Sequence, residues 1–230
     1  MKTLNYSVRN IFPTPIHQFE INQFDDIKFK LIDYVYNLQK QDPVGVNVSN
    51  RGGWQSPSLN FSKDIDLLCD FLLECLSDLP FLKPTTFKVD AWININKKGD
   101  YNIKHIHPTS NLSGVLWIKC PEKCWEIVFI SPYEFVGFKE LELYTDNFKK
   151  ENNAYLSYYF DPMEGGMILF PSHLAHRVNE NKSDEDRISI AFNIIFNWYG
   201  NTTGKSIHRS ISSFNNKEFL QWRGIEINMG

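Results

Sequence analysis

Phe87-Lys88-Val89-Asp90-Ala91-Trp92-Ile93-Asn94-Ile95 is the stretch on which the fold turns. Phe87, Val89, Ala91, Ile93 and Ile95 alternate with Lys88, Asp90, Trp92 and Asn94, a period of two that predicts a strand with one buried face. Downstream the chain continues in the same manner. Strands are expected at about 103–107, 112–119, 124–130, 155–160, 166–170, 175–179 and 186–197, separated by turn signals such as Lys97-Lys98-Gly99-Asp100 and Glu164-Gly165-Gly166. Residues 134–153 interrupt this series as a polar and aromatic insertion with room for a short helix.

Upstream of Phe87 the period is helical. Phe24, Ile27, Leu31, Tyr34, Val35 and Leu38 recur at spacings of three and four and predict an amphipathic helix over 24–40. Residues 62–79 predict a second one, with Ser62 as its cap, Asp64 and Asp66 in its first turn, and an apolar face of Ile65, Leu68, Cys69, Leu72, Cys75, Leu76 and Leu79. The Gly- and Ser-rich segment between them is a loop. Its Trp54 is either a plug at the end of the core or, with Gln55, a contact for substrate at a pocket mouth. About eight strands after two helices, with no helices alternating between them, predict an antiparallel barrel or double-sheet jelly roll.

Composition agrees with a sheet-rich interior. Eighteen Phe, ten Tyr and six Trp supply the bulky residues that strands favour, where a helical bundle would draw on Leu and Ala. At 230 residues the expectation is one domain spanning 1–230, with a helical buttress over about 20–80, a β core over about 85–198 and a C-terminal extension over 199–230. In that extension Phe214, Phe219, Leu220 and Trp222 suit a cover for the barrel or for a partner, and a homodimer is open. A net charge of -3 and a pI near 6.1 provide no field for phosphate backbones or an anionic membrane, which argues against nucleic acid as the partner. The N-terminus lacks the pattern of a signal peptide, and no apolar run is long enough to span a bilayer, so a soluble, cytoplasmic protein is expected. Cys120-Pro-Glu-Lys-Cys124 has no second pair with which to complete a structural zinc site, and reads as a loop between strands.

Four of the six histidines fall in two short pairs, His105/His107 and His173/His176. Two residues apart on a strand, His105 and His107 point to one face, with Ile106 directed away, and can chelate one metal. His173 and His176 would face opposite sides, so one of them is expected to join the first pair. Eleven residues after His176, Arg187 opens Arg187-Ile188-Ser189, and the strand period puts Arg187 and Ser189 on one face. A planar guanidinium beside a hydroxyl seats a carboxylate bidentately, whereas a surface Arg would pair with Asp184, Glu185 or Asp186.

These residues sit in stretches that resemble the non-haem iron, 2-oxoglutarate-dependent oxygenases, and within them a bacterial and phage group of 2-oxoglutarate/iron oxygenases. The matching stretches are Phe12-Pro13-Thr14-Pro15, Gly53-Trp54-Gln55-Ser56, residues 105–115 (HIHPTSNLSGV), residues 170–178 (FPSHLAHRV) and residues 187–193 (RISIAFN). The resemblance implies a double-stranded β-helix, the jelly-roll or cupin-like core, with Fe(II) and 2-oxoglutarate as cofactors and dioxygen as cosubstrate. The activity it implies is hydroxylation of an unknown substrate, a protein side chain such as proline or a small metabolite. It makes His105 the first metal ligand and His176 the distal one, with Arg187 and Ser189 on the far carboxylate of 2-oxoglutarate and no catalytic residue beyond the metal site. His107 stands where the family has an acid. It either completes a three-histidine set or swings away and leaves its place to water. Trp117 stands nearest to the tyrosine that the family places on a barrel strand, and Asn102 is a second polar contact for the cosubstrate. Ile106, Val115, Phe170 and Phe192 are expected to form the apolar wall, and His173 a packing or outer position. Two other readings stay open: a three-histidine cupin-type dioxygenase that does not use 2-oxoglutarate, and a non-catalytic jelly-roll binding module.

Overall fold

The computed structural model of the chain describes residues 6–59, 72, 75, 76, 79, 80, 87–132 and 140–196. Its strands are β1 (His17–Glu20), β2 (Asn50–Arg51), β3 (Trp54–Gln55), β4 (Phe87–Asn96), β5 (Tyr101–His105), β6 (Leu112–Lys119), β7 (Ile127–Ile130), β8 (Ser157–Phe160), β9 (Gly166–Pro171), β10 (His176–Val178) and β11 (Arg187–Phe196). The helices are α1 (Asp25–Gln41), α2 (Glu140–Leu143) and α3 (Asp146–Asn152). Two antiparallel sheets result, a six-stranded one ordered β1-β9-β6-β11-β4-β3 and a five-stranded one ordered β2-β5-β10-β7-β8. The jelly roll expected from the sequence is present, and the strands predicted from Phe87 onward all occur. Strands β1, β2 and β3 were not expected.

The large sheet has two different faces. Ile93 and Ile95 of β4, Ile188 and Ile190 of β11, Leu116 and Ile118 of β6, and Met167 and Leu169 of β9 form one core with Leu31 and Val35 of α1. The α1 stripe read from the sequence is therefore the face that the sheet buries. Leu72, Cys75 and Leu76 are helical, and Leu72 and Leu76 are wholly buried in the same core. Leu79, predicted to end that helix, is buried in the same core but not helical, while its other residues, Ser62, Asp64, Asp66 and Cys69 among them, lie outside the described residues, as do residues 199–230. Among the described residues no helix is long and apolar enough to cross a membrane.

The opposite face of the large sheet meets the small sheet. Trp117, Ile168 and Phe170 pack against Ile127, Phe129, Phe160 and Val178 in a second, smaller core. The loop containing Trp54 closes one side of this sandwich by giving β2 to the small sheet and β3 to the large one. Trp54 pairs with Ile95, is 6% exposed, and donates its indole N–H to the Asp42 carbonyl at 2.7 Å. It is a plug at the end of the core.

Gly114 on β6 lets β9 and β11 approach closely, because a Cβ there would collide with the Phe192 ring and lie 2.7 Å from the Ile168 carbonyl oxygen. Gly114→Ala is therefore expected to destabilise the protein by about 1–3 kcal/mol, the usual cost of overpacking. A urea unfolding midpoint equal to that of the parent would refute the tight contact.

Candidate metal centre

Three imidazoles converge in the space between the sheets. His105 ends β5, His176 opens β10, and the two residues are direct antiparallel partners. His107 lies beyond the strand, which ends two residues earlier than the sequence suggested, so its position is not set by a strand period. It is fixed by hydrogen bonds instead. The His107 backbone N–H donates to the Ser172 carbonyl at 2.9 Å, and Ser172 N–H donates to the Asn111 carbonyl at 3.2 Å. The Ser113 hydroxyl joins the Ser172 hydroxyl at 2.8 Å and donates to Asn193 Oδ1 at 2.8 Å. The Ser and Asn positions in the quoted motifs thus form a buried clamp on the loop that carries His107, a role that no periodicity reveals.

The ring centroids stand 4.3 Å apart for His105 and His176, 5.0 Å for His105 and His107, and 5.2 Å for His107 and His176. One nitrogen from each lies within 4.8 Å of the others, and among the described residues no carboxylate belongs to the group. Nδ1 of His105 is 2.7 Å from the Ile103 carbonyl, and Nδ1 of His176 is 3.0 Å from the Leu174 carbonyl. Since a carbonyl oxygen only accepts, each Nδ1 carries the proton and leaves the Nε2 lone pair for a metal. Phe170 and Phe129 wedge the His176 ring, at centroid distances of 4.8 and 6.0 Å, and Trp92 lies 5.9 Å from His107. Burial lowers all three imidazole pKa values, to about 4 for His107 and about 3 for His176, and at these two the charge of neighbouring imidazoles adds to the effect. At neutral pH all three are free to donate.

Arg187 lies in the same cavity and is 2% exposed. Its Nη1 donates to the carbonyls of Cys124 at 2.6 Å, Asn179 at 3.3 Å and Trp125 at 3.4 Å. Its Nη2 is buried without a partner. The acids expected to neutralise a surface Arg are engaged elsewhere: Asp184 with Lys98, Glu185 with Lys119, and Asp186 with the Tyr36 hydroxyl. Burial lowers the guanidinium pKa, although a group of this type stays charged. A buried cation with an idle donor and no ion pair among the described residues has the chemistry of an anion site.

The cavity is narrow, with about 60 Å³ of room for the centres of water-sized groups, and it opens to solvent at its mouth. Ser189, Asn102 and Trp117 line it with Arg187 and the three histidines. Asn102 Nδ2 already donates to the Ser49 hydroxyl at 3.1 Å. Asn94 and Asn96, which pair across β4 and β11 with Ser189 and Arg187, also line it, and Asn94 Oδ1 is buried without a partner. Sequence reasoning placed Asn94 and Trp92 on the polar side of β4. That side is the cavity wall, because the small sheet covers it.

Several expected positions move. Trp54 and Gln55 do not line the cavity: Trp54 is in the core, and Gln55, 6% exposed, stays on the edge strand β3 while Ser49 of the same loop reaches the cavity. Ile106 is 47% exposed and is not part of the apolar wall, which Val115, Phe170 and Phe192 supply. His173 is exposed.

Residues 90–193 match the family described as putative 2OG-Fe(II) oxygenase. No curated protein matches the sequence. Among solved structures the fold is similar to that of a Pseudomonas putida prolyl-4-hydroxylase, with 12% identity over 80% of this chain and 94% of that one, at a TM-score of 0.55. It is also similar to the non-heme alpha ketoglutarate dependent carbocyclase SnoK from nogalamycin biosynthesis, with 9% identity over 79% of each chain at a TM-score of 0.54. HygX from Streptomyces hygroscopicus, solved with nickel, 2-oxoglutarate and hygromycin B, shares 10% identity over 79% of this chain and 82% of that one, at a TM-score of 0.53. At these identities the likeness is one of fold.

The depressed histidines set a pH dependence for the metal-free protein. Unfolded histidines titrate near 6.5, so as pH falls through that value the unfolded chain binds protons that the native imidazoles take up only at lower pH, far lower for His107 and His176. Stability is present above pH 6.5 and falls as pH is lowered. His17, also depressed by burial, adds in the same direction. Urea midpoints of metal-free protein are expected to drop between pH 7.5 and 5, a window above the carboxylate range, and a flat profile there would contradict buried neutral imidazoles.

Proposed function

Taking residues 90–193 as a 2OG-Fe(II) oxygenase domain, we propose that His105, His107 and His176 hold Fe(II) and that Arg187 holds 2-oxoglutarate beside it, for the dioxygen-dependent hydroxylation of an organic substrate. One observation carries this reading: Arg187, buried with Nη2 idle and no acid against it among the described residues, shares a cavity with three neutral imidazoles. That HygX, a protein of this fold, is known with nickel and 2-oxoglutarate bound supports the pairing.

The residues fit both groups. Nitrogen donors suit a first-row divalent metal, and a one-sided set leaves positions for cosubstrate and dioxygen. Arg187 Nη2 and the Ser189 hydroxyl would hold the far carboxylate of 2-oxoglutarate, with Trp117 and Asn102 lining the same cavity and Asn94 and Asn96 extending its polar wall. When bound, the iron supplies dioxygen activation coupled to conversion of 2-oxoglutarate into succinate and carbon dioxide. Val115, Phe170 and Phe192 restrict water around the reacting centre, and the carbonyl bonds to His105 and His176 hold their rings in register for it. The substrate is a protein side chain such as proline or a small metabolite. The prolyl-4-hydroxylase and the hygromycin-bound HygX, similar in fold, point to one of these each.

The missing carboxylate favours a second reading, a three-histidine dioxygenase that does not use 2-oxoglutarate. Arg187→Ala separates the two, because metal-dependent oxygen uptake unchanged by that substitution supports the second reading and excludes the first. Under the first, anaerobic Fe(II) and 2-oxoglutarate give a weak visible charge-transfer band that His176→Ala abolishes. Arg187→Ala weakens 2-oxoglutarate affinity by about 10- to 100-fold, the worth of a charge-assisted bidentate contact. No band and no succinate from reconstituted protein would sink the proposal. His107→Ala is expected to bind iron more weakly than the parent, and equal affinity by competition with a chelating dye would show that His107 is not a ligand.

A further inference from the structure

On one side of the sandwich a single loop supplies β2 to the small sheet and β3 to the large one; on the other, β8 and β1 are the edges of their sheets. A groove runs along that second side. We propose that residues 225–229 of this chain, Ile225-Glu226-Ile227-Asn228-Met229, lie in it as a strand added to the outer edge of β8. The inference does not depend on the function proposed above.

The groove is walled by Ile11 and Phe12 ahead of β1, by Phe129 and Tyr158 of the β7–β8 pair, and by Tyr144 and Phe148 of the α2–α3 insertion. It offers about 720 Å³ of room for the centres of water-sized groups, against about 60 Å³ in the metal cavity, so it takes several large side chains at once. Ile11, Phe12, Tyr144 and Tyr158 are exposed along it, a contiguous apolar surface of the kind that marks a contact.

The edge of β8 fits an extended occupant. Among the described residues β8 pairs only with β7. The Ser131 N–H donates to the Leu156 carbonyl at 2.9 Å, and the alternation of an antiparallel ladder then gives Tyr158 and Phe160 to β7 and turns the N–H and C=O groups of Ser157 and Tyr159 outward. Exposed edges are ordinarily blunted by charge or proline, as His17 and Glu20 do for β1, yet β8 reads Ser-Tyr-Tyr-Phe. Tyr158 and Phe160 face the groove, so a strand laid beside them turns alternate side chains into it.

Residues 225–229 have the matching pattern. Ile225, Ile227 and Met229 alternate with Glu226 and Asn228, a period of two with one apolar face. The chain is placed to deliver them. β11 ends at Phe196, whose N–H donates to Asn111 Oδ1 at 2.9 Å; the Asn111 carbonyl accepts from the Ser172 N–H at 3.2 Å, and Leu174, two residues on, lines the groove. Residues 197–224 reach about 90 Å when fully extended, several times the radius of a domain of this length. Such a tether holds the segment at an effective concentration on the order of millimolar, which favours this chain's own strand over that of a second molecule. Charge agrees: residues 197–230 carry four Lys and Arg against two Glu, and residues 140–152, which form one wall, carry four acids against two Lys. Phe129, on the groove wall, also packs against the His176 ring at 6.0 Å, so the added strand shields that side of the distal histidine.

The test is hydrogen exchange on the full-length protein, read by mass spectrometry. In the parent, the peptides carrying Ser157–Tyr159 and Ile225–Met229 should both be protected. Ile227→Asp, which puts a charge into the groove, should speed exchange in both by about tenfold or more, the scale of losing a locally cooperative unit. Asn228→Ala, on the opposite face of the strand, should leave both unchanged, and the β11 peptide Ile188–Ile194 should stay protected in every variant, reporting an intact sandwich. Exchange of Ile225–Met229 in the parent at the rate of a free peptide overturns the inference without recourse to any variant. So does an Ile227→Asp protein whose β8 peptide exchanges as in the parent. Protection that disappears on dilution, together with a dimer in sedimentation, assigns the strand to a second copy and overturns the placement within one chain.

Discussion

Burying a guanidinium with no acid against it among the described residues is the constraint around which the rest of this structure is organised. Desolvation of such a charge costs several kcal/mol unless hydrogen bonds or a counter-charge replace the water. Here three backbone carbonyls, from Cys124, Trp125 and Asn179, take one nitrogen of Arg187, and the other is left idle. Those carbonyls come from two loops on the rim of the small sheet. The loop holding Asn179 is braced in turn by Asn181, wholly buried, which donates to the carbonyls of Asn96 and Glu185. The β4–β11 end of the large sheet and the loops of the small one are therefore tied together at the point where the cation sits.

The sandwich supplies the remaining requirement, which is that polar groups on a sheet face be hidden from bulk water. The large sheet buries Ile93, Ile95, Ile188 and Ile190 against α1, and the intervening residues Asn94, Asn96, Arg187 and Ser189 turn to the small sheet. In an open sheet those four would be solvated and ordinary. Covered by β5 and β10, they become a polar floor beneath three imidazoles whose own pKa values are lowered by the same burial. One alternation along two strands thus makes both the hydrophobic core and the binding floor.

Much of this was legible in the sequence, and the remainder was hidden for physical reasons. The period of two in Phe87–Ile95 and the stripe from Phe24 to Leu38 report directly which side chains leave water, so β4 and α1 were readable within about a residue. His105, His176 and Arg187 were readable because scarce residue types at fixed spacings have few uses. Trp54 was placed in the core by the fold, since an indole in a glycine-rich loop looks the same in sequence whether it faces substrate or plugs a sheet edge. Asn94 and Trp92 were assigned to a solvent face because alternation tells which residues share a side and not what covers it. His107 is the instructive case. Its ring reaches the other two through the Ser113, Ser172 and Asn193 clamp, contacts distant in sequence that no local pattern encodes.

The charge of the site follows from the same residues and constrains what it binds. Three neutral imidazoles cancel none of the charge of a divalent metal, and Arg187 adds one more positive charge with no acid among the described residues gathered at the histidines. A two-histidine, one-carboxylate set would cancel one of those charges, and His107 in place of the acid leaves it standing. In a covered cavity of low effective dielectric an excess of this size is costly unless the ligand brings the compensation. A dicarboxylate spanning the metal and the guanidinium brings two negative charges to the two places that lack them. A neutral ligand, or one with a single carboxylate at the metal, leaves Arg187 Nη2 as it stands now. With an imidazole and not a carboxylate from His107, a metal held here would demand a dianion, a requirement set by the charge of the cavity as much as by its shape.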